Sequence, residues 1–288
     1  MNLCDIKTIK QTMAMFSINF RKEFSQNFLT DNLVVEDIAD NCCDCNTKTI
    51  LEIGPGIGSL TKELAERYEN VVAIEIDNGL IPVLKYTLGS YSNVKVINED
   101  VMNCNLAEIL ASYFEKGGVS VCANLPYYIT TPILMMLLES NLPFDYITIM
   151  IQEEVADRLC AAPGGKNCGA ITAVLNYYGM PEKLFTVRSD RFIPEPKVDS
   201  AVVRIKLHKD KPYKPLDEAT FFRTVRGAFE QRRKTLPNSL SSVFGEISKE
   251  EITDIICQCG LDVNVRGERL SMDDICALAD RLYDKINS

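Results

Sequence analysis

The sequence has one histidine, His208, which follows an apolar run and borders Lys209. Catalysis by a Ser/His or Cys/His pair needs an imidazole to take the nucleophile's proton. A lone histidine in this setting argues against that chemistry and reads as a solvated side chain. The chain also lacks an apolar run long enough to span a bilayer. From Met1 to Lys22 no apolar core precedes a small-residue cleavage site, so no secretion signal is read. These absences imply a cytoplasmic protein that does not use a membrane. Internal repeats and low-complexity segments are missing as well.

Positive net charge is another absence: the formal value is −9 at pH 7. Net charge excludes a nucleic-acid partner only if the signs are mixed evenly. Here Arg191, Lys197, Arg204, Lys206, Lys211, Arg223, Arg226, Arg232, Arg233 and Lys234 crowd one stretch with few acids between them. Lys7, Lys10, Arg21 and Lys22 add an N-terminal cluster. A basic stripe on an acidic protein can still neutralise phosphates; an ordinary solvated face is the alternative.

Cysteine, in contrast, is plentiful at 11. The residues sit singly in apolar segments such as Val121-Cys122-Ala123 and Ile256-Cys257, which suits small core residues in a reducing compartment. Cys42-Cys43-Asp44-Cys45 lacks a second pair at zinc-ribbon spacing, Cys257-Gln258-Cys259 being distant, so no metal is expected. At 288 residues, 46% hydrophobic and 25% charged, the chain can bury one large α/β core with a small appendage.

The strand pattern shows where that core opens. Thr49 to Ile53 reads as a buried strand running into Gly54-Pro55-Gly56-Ile57-Gly58-Ser59 and then a helix, Leu60 to Tyr68. Glycines between strand and helix let a ligand approach the backbone at the helix N-terminus. Val71 to Asp77 is a second strand, and its Glu75 lies about 20 residues on, where an acid can accept both ribose hydroxyls. Val94 to Asp100 is a third, ending at an acid suited to an adenine amine. A solvated turn or a helix cap is the competing reading of each acid alone.

Gly117-Gly118 then precede a fourth strand, Val119 to Ala123, which must end at Asn124 because Pro126 lacks an N–H and keeps Leu125 extended. Asn124 brings an amide oxygen, Leu125 a carbonyl and Tyr127 a flat ring. Two acceptors beside a stacking ring can hold the exocyclic amine of a nucleobase. Drawing its hydrogens out of plane returns the nitrogen lone pair from the ring, and an electrophilic methyl held in line completes the reaction. Acids at successive strand ends followed by Asn-Leu-Pro-Tyr favour methyl transfer over hydride transfer.

The remaining segments read as follows. Residues 1–23 form an arm with little regular structure, and Thr30 or Asp31 caps a helix through Ala39. Thr130 and Thr131 cap a helix to Ser140 with Pro132 in its first turn. Phe144–Ile151, Glu182–Val187 and Ser200–Leu207 are strands; Gln152–Cys160 and Gly169–Tyr178 are helices. Arg188 to Asp199 is a proline-stiffened loop able to present Phe192 opposite Tyr127. Residues 209–215 form a linker, and residues 216–288 are helical throughout, with Gly260 closing one helix and Ser271 opening another.

Taken together these runs resemble the ribosomal RNA small-subunit adenine dimethyltransferases. The matching stretches are Ser25 to Leu29, Leu51 to Gly58, Ile74 to Asp77, Glu99-Asp100, Asn124 to Tyr127, Gln152 to Leu159 and Phe192 to Val202. Ser25 replaces a glycine of many members and Tyr128 an asparagine. The resemblance implies an α/β fold: a Rossmann-like class I S-adenosylmethionine-dependent methyltransferase domain with a seven-stranded sheet over residues 24–208, and a small all-α RNA-binding domain. It implies that Asn27, Leu29, Gly54, Gly56, Glu75, Asp100 and Asn124 bind S-adenosylmethionine. Asn124, Leu125 and Tyr127 would hold the target amine, Phe192 the other face of the base, and Arg226, Arg232, Arg233 and Lys234 the RNA backbone.

The implied reaction is transfer of methyl groups to N6 of two adjacent adenosines near the 3′ end of small-subunit (16S) rRNA. The product is N6,N6-dimethyladenosine, made by a monomer acting on an assembling 30S particle in ribosome biogenesis. Macrolide-resistance methyltransferases of the large subunit share the catalytic motifs and are the enzymatic alternative. A ribosome-assembly factor on the same fold is the other.

Overall fold

The structure is a computed structural model that describes residues 1–18, 27–231 and 233–288. Ser25, Gln26, Arg21, Lys22 and Arg232 lie outside the described residues. The chain divides into two compact units, residues 1–156 with 182–209, and residues 157–181 with 210–288.

In chain order the elements up to the fourth strand are α1 (Ile6–Met15), β1 (Phe28–Leu29), α2 (Asn32–Asn41), β2 (Thr47–Ile53), α3 (Ser59–Arg67), β3 (Asn70–Glu75), α4 (Leu80–Thr87) and β4 (Val94–Asn98). They continue with α5 (Leu106–Phe114), β5 (Gly118–Asn124), α6 (Thr130–Glu139), β6 (Phe144–Gln152), α7 (Glu153–Leu159), α8 (Ala170–Tyr178), β7 (Gly179–Val187), β8 (Phe192–Ile193) and β9 (Ser200–Leu207). Seven strands form one sheet in the order β4-β3-β2-β5-β6-β9-β7. The strands β2 to β6 run parallel, and β9 is antiparallel to β6. β2 therefore has β3 on one side and β5 on the other, so the strand order reverses between β2 and β5. A ligand crevice opens outside the carboxyl ends of strands at such a reversal.

The strands read as nearly unbroken apolar runs because both faces are covered. Val71, Val72 and Ala73 have no exposed surface. Polar residues in the sheet find partners: Thr47 Oγ1 and Ser120 Oγ lie 2.9 Å apart, and Thr148 Oγ1 donates to the Cys42 carbonyl at 2.6 Å. Glu52 is the exception, and it belongs to the site described below.

Several expectations need correction. Of the segment 1–23 the structure describes residues 1–18, and these are not an irregular arm, since α1 is a helix capped by Asp5 with Ile9 and Met13 buried. These side chains cluster with Phe28, Ile57 and Leu80, which is what orders the segment. The helix α6 is not capped by Thr130 or Thr131: Ile129 is its N-cap, and Thr130 Oγ1 turns back to the Pro126 carbonyl at 3.1 Å. Cys257 is exposed rather than a core residue, because its position on its helix faces solvent.

The second unit contains α8 together with α9 (Glu218–Glu230), α10 (Leu236–Leu240), α11 (Lys249–Gln258) and α12 (Met272–Ile286). The sequence reading placed the α8 segment with the sheet domain. Its Tyr177 packs on Phe221 of α9, with ring centroids 4.8 Å apart, and its hydroxyl donates to Glu218 at 2.6 Å. Capping boxes start α11 at Ser248 and α12 at Ser271. Gly260, at φ +74°, follows the α11 C-cap, and the Leu261 N–H returns to the Ile256 carbonyl at 3.2 Å.

Candidate active site

The cleft at the reversal is built entirely within the first unit, and its floor is the turn after β2. Gly54 has φ +71° and Gly56 φ +61°, a region that residues with a Cβ enter at a cost. The Gly54 N–H donates to the Ile74 carbonyl at 2.9 Å, which ties the turn to β3. A Cβ on Gly56 would lie 3.0 Å from the Phe28 ring, so the aromatic closes directly over the turn. Behind it α3 starts at Ser59, whose hydroxyl donates to the Leu3 carbonyl at 3.1 Å and thereby joins the N-terminal segment to the turn.

One wall carries the acids. Glu75 ends β3 and is 4% exposed. One of its oxygens accepts the Gly56 N–H at 3.2 Å and the other the Asp77 N–H at 2.8 Å. Burial, opposed by these bonds, raises its carboxyl to about 7. Asp100 lies in the turn beyond β4, which ends at Asn98. It accepts the Met102 N–H at 2.9 Å, which holds that turn closed.

Glu52, the penultimate residue of β2, also lines the cleft. It is 1% exposed; its Oε2 and the Thr61 hydroxyl are buried without a hydrogen-bond partner among the described residues. Burial chiefly raises the Glu52 carboxyl to about 8, with the nearby Glu75 adding to the rise and the proximity of the Thr61 hydroxyl opposing it. The sequence reading gave Glu52 no role. Its signal was a charge inside the apolar run Ile50-Leu51-Glu52-Ile53.

The opposite wall follows β5. Asn124 ends that strand half-buried, and Leu125 is 4% exposed. Both bonds inside the next turn go to the Pro126 carbonyl, from the Ile129 N–H and from Thr130 Oγ1, each at 3.1 Å. Tyr127 is half-buried and its hydroxyl lies 2.8 Å from Ser200 Oγ. Burial raises its phenol above the ordinary value. Tyr128 is 60% exposed at the rim. Phe192 comes in from β8, where it pairs antiparallel with Leu29 of β1. The Thr30 N–H extends this ladder to the Arg191 carbonyl at 2.8 Å, and Arg191 also reaches Asp31 at 2.9 Å.

The cleft thus brings together every residue named for cofactor and base: Asn27, Leu29, Gly54, Gly56, Glu75, Asp100, Asn124, Leu125, Tyr127 and Phe192. The basic stretch is more divided. Arg191 and Arg204 in the first unit pair with Asp31 and Glu182. Lys211 and Arg223 in the second pair with Glu218 and Glu246. Arg226, Arg233 and Lys234 are exposed, and among the described residues no carboxylate pairs with them. No group of three or more His, Cys, Asp or Glu among the described residues is set to hold a metal. No described helix is long and apolar enough to cross a membrane.

Comparison with known proteins bears on this arrangement. The family profile described as "Ribosomal RNA adenine dimethylase" matches residues 17–284. A Ribosomal RNA small subunit methyltransferase A from Alkaliphilus oremlandii is 42% identical over 97% of this chain and 98% of its own. That of Alkaliphilus metalliredigens is 44% identical over 93% and 94%. Among solved structures, a dimethyladenosine transferase from Plasmodium falciparum superposes with a TM-score of 0.74 at 22% identity, over 90% of this chain and 98% of that one. The 23S rRNA methyltransferase ErmE gives 0.68 at 23% identity, over 89% and 99%. These two show that the fold is shared.

Proposed function

The chain belongs to the ribosomal RNA adenine dimethylase family, and on that premise we propose how its cleft works and on which RNA. It is an S-adenosylmethionine-dependent rRNA adenine dimethyltransferase. The substrate in this reading is the pair of adjacent adenosines near the 3′ end of small-subunit rRNA. The enzyme meets them as a cytoplasmic monomer on the assembling 30S particle.

The cleft suits the cofactor's chemistry. Gly54 and Gly56 leave the turn free of side chains, and each Glu75 oxygen that accepts an N–H keeps a lone pair for a ribose hydroxyl. The unpartnered Glu52 oxygen fits a cationic ligand, which would offset its burial. When bound, S-adenosylmethionine supplies an electrophilic methyl on a sulfonium sulfur. Glu75 and Asp100 fix the nucleoside end, and Asn27 and Leu29 close the opening. Asn124 Oδ1 and the Leu125 carbonyl accept the two hydrogens of adenine N6 and localise its lone pair for in-line attack. Tyr127 and Phe192 stack on the two faces of the base, contributing roughly 1–3 kcal/mol each. The proton is lost after attack, when the nitrogen is acidic, so the cleft needs no strong base. A second turnover on the same nitrogen gives the dimethylated product. Arg226, Arg233 and Lys234 meet RNA phosphates, and residues 216–288 are the RNA-binding part.

The observation that carries this reading is the meeting of Glu75, Asp100, Asn124 and Tyr127 in one cleft. The test uses small subunits purified without N6,N6-dimethyladenosine, the purified chain and isotope-labelled S-adenosylmethionine. Nucleoside mass spectrometry should show label in N6,N6-dimethyladenosine at two neighbouring positions. A folded enzyme that labels large-subunit RNA instead, or nothing, would overturn the assignment.

A further inference from the structure

We infer that Ser200 is a positioning residue for methyl transfer, its hydroxyl fixing the plane of the Tyr127 ring against the target base. The inference rests on the reading above in which Tyr127 stacks on adenine. Ser200 stands 73 positions from Tyr127 in sequence, is 0% exposed, and lies 2.8 Å from it, oxygen to oxygen. That is the usual length of a hydroxyl–hydroxyl hydrogen bond.

The two partners are held very differently. Tyr127 follows Pro126 in a turn, and nothing in the turn's backbone bonding restrains its side-chain torsions. A tyrosine there can choose among staggered rotamers. Ser200 starts β9 and pairs with Gln152, the last residue of β6, in a ladder that runs back to Lys206. Its predecessor is pinned twice: the Asp199 carboxylate accepts the Ser189 N–H at 2.8 Å, and the Asp199 carbonyl accepts the Glu153 N–H at 3.0 Å. The serine hydroxyl is therefore a fixed point, and the tyrosine is the group that it orients.

The same segment carries the other ring. The Ser189–Asp199 bond closes the base of the loop that presents Phe192. Ser200 is the next residue, so one anchored segment sets the place of both aromatic walls. The gap between them is then fixed by the sheet before a base arrives. With its hydroxyl engaged by Ser200, Tyr127 presents only its face, and Asn124 and the Leu125 carbonyl are left to hold the amine.

The test is a double-mutant cycle of Ser200→Ala and Tyr127→Phe. Each change removes one hydroxyl and keeps the ring. Single-turnover methylation of precursor small subunits is measured at saturating cofactor, together with cofactor affinity and melting temperature. Each single variant should slow methylation by about 5- to 50-fold, since displacing a reacting group slightly is costly. The double variant should be within about twofold of the slower single, because one interaction is lost in all three. Cofactor affinity should stay within about twofold, and Ser200→Thr, which keeps the hydroxyl, should restore most of the rate. Single variants as fast as the parent, or losses that multiply in the double variant, would overturn the inference. Tyr127→Ala separates this outcome from failure of the reading beneath it. If the parent is active and folded Tyr127→Ala matches Tyr127→Phe, the stacking role itself falls. If Tyr127→Ala is far slower while the cycle multiplies, stacking stands and only the Ser200 assignment is lost.

Discussion

Glu52 is a carboxylic acid buried where its charge is poorly accommodated. Its carboxyl is raised from 4.5 to about 8 and that of Glu75 from 4.5 to about 7, in both cases chiefly by burial. The unfolded chain gives up both protons first as pH rises. The folded chain therefore holds more protons between pH 4.5 and about 8, and stability falls across that window. Ionising a fully buried carboxyl costs on the order of a few kcal/mol, or several degrees of melting temperature in a protein of this size. Glu52→Gln should flatten the fall and melt higher than the parent above pH 8 without cofactor. Scanning fluorimetry from pH 5 to 9 checks this, and parallel curves for the two proteins would remove Glu52 as the cause. Glu75→Ala should weaken S-adenosylmethionine binding by about 10- to 100-fold, the value of charge-assisted hydrogen bonds to two hydroxyls. It should also loosen the glycine turn, because the Gly56 N–H loses its acceptor. Calorimetry of the folded variant tests the first effect and its melting temperature the second. Glu75 and Asp100 were legible in the sequence because each follows an apolar strand. Glu52 and Ser200 were not, because the groups they face, Glu75 and Tyr127, are distant in sequence and only folding brings them near.

At the scale of elements, the strands were the most readable, being apolar runs ended by glycine, proline or an acid. Ser200–Leu207 matches its expected limits. The helices α1, α4 and α5 escaped notice. In α4 the run is only eight residues long with a proline in its first turn, which masks the helical spacing of its buried Leu80, Val83, Leu84 and Thr87. The turn after β2 is legible as a cofactor loop because its glycines stand between a strand and a helix, and its geometry adds a reason for Gly56. Alanine there would combine an unfavourable φ with a contact to the Phe28 ring at 3.0 Å. Gly56→Ala should destabilise the protein by about 1–3 kcal/mol and reduce cofactor affinity together. Denaturant unfolding and calorimetry on the same preparation would show whether the two losses coincide. An unchanged unfolding midpoint would mean that the ring gives way freely.

For the whole molecule, the net charge of −9 conceals a local arrangement of sign. Pairing of Arg191, Arg204, Lys211 and Arg223 with carboxylates narrows the basic stretch to fewer free cations than the sequence suggested. Exposed ion pairs contribute little to stability, but they do remove charge that phosphates would otherwise meet. Arg226 and Arg233 remain exposed, and reversing both to Glu should weaken binding to precursor subunits while leaving cofactor affinity intact. The slope of binding against salt should become shallower by about one for each lost phosphate contact. Equal slopes would mean that these arginines only face solvent. Composition indicated two parts to the chain, but it could not show that residues 157–181 group with the helical unit. That grouping depends on Tyr177 meeting Phe221, a contact between residues distant in sequence.

The two-residue ladder between Phe28–Leu29 and Phe192–Ile193 also has a meaning in hydrogen exchange. The Thr30 N–H is held across the ladder by the Arg191 carbonyl, whereas the Arg191 and Phe192 N–H groups bond back to the Arg188 and Ser189 carbonyls of their own turn. The Thr30 amide should therefore exchange deuterium with the opening free energy of the ladder, while the amides of Arg191 and Phe192 report the opening of their own turn. Breaking the Asp31–Arg191 pair should speed exchange at Thr30. Any fluctuation that lifts Phe192 out of the cleft must then uncover Leu29, its partner in the ladder, in the same event.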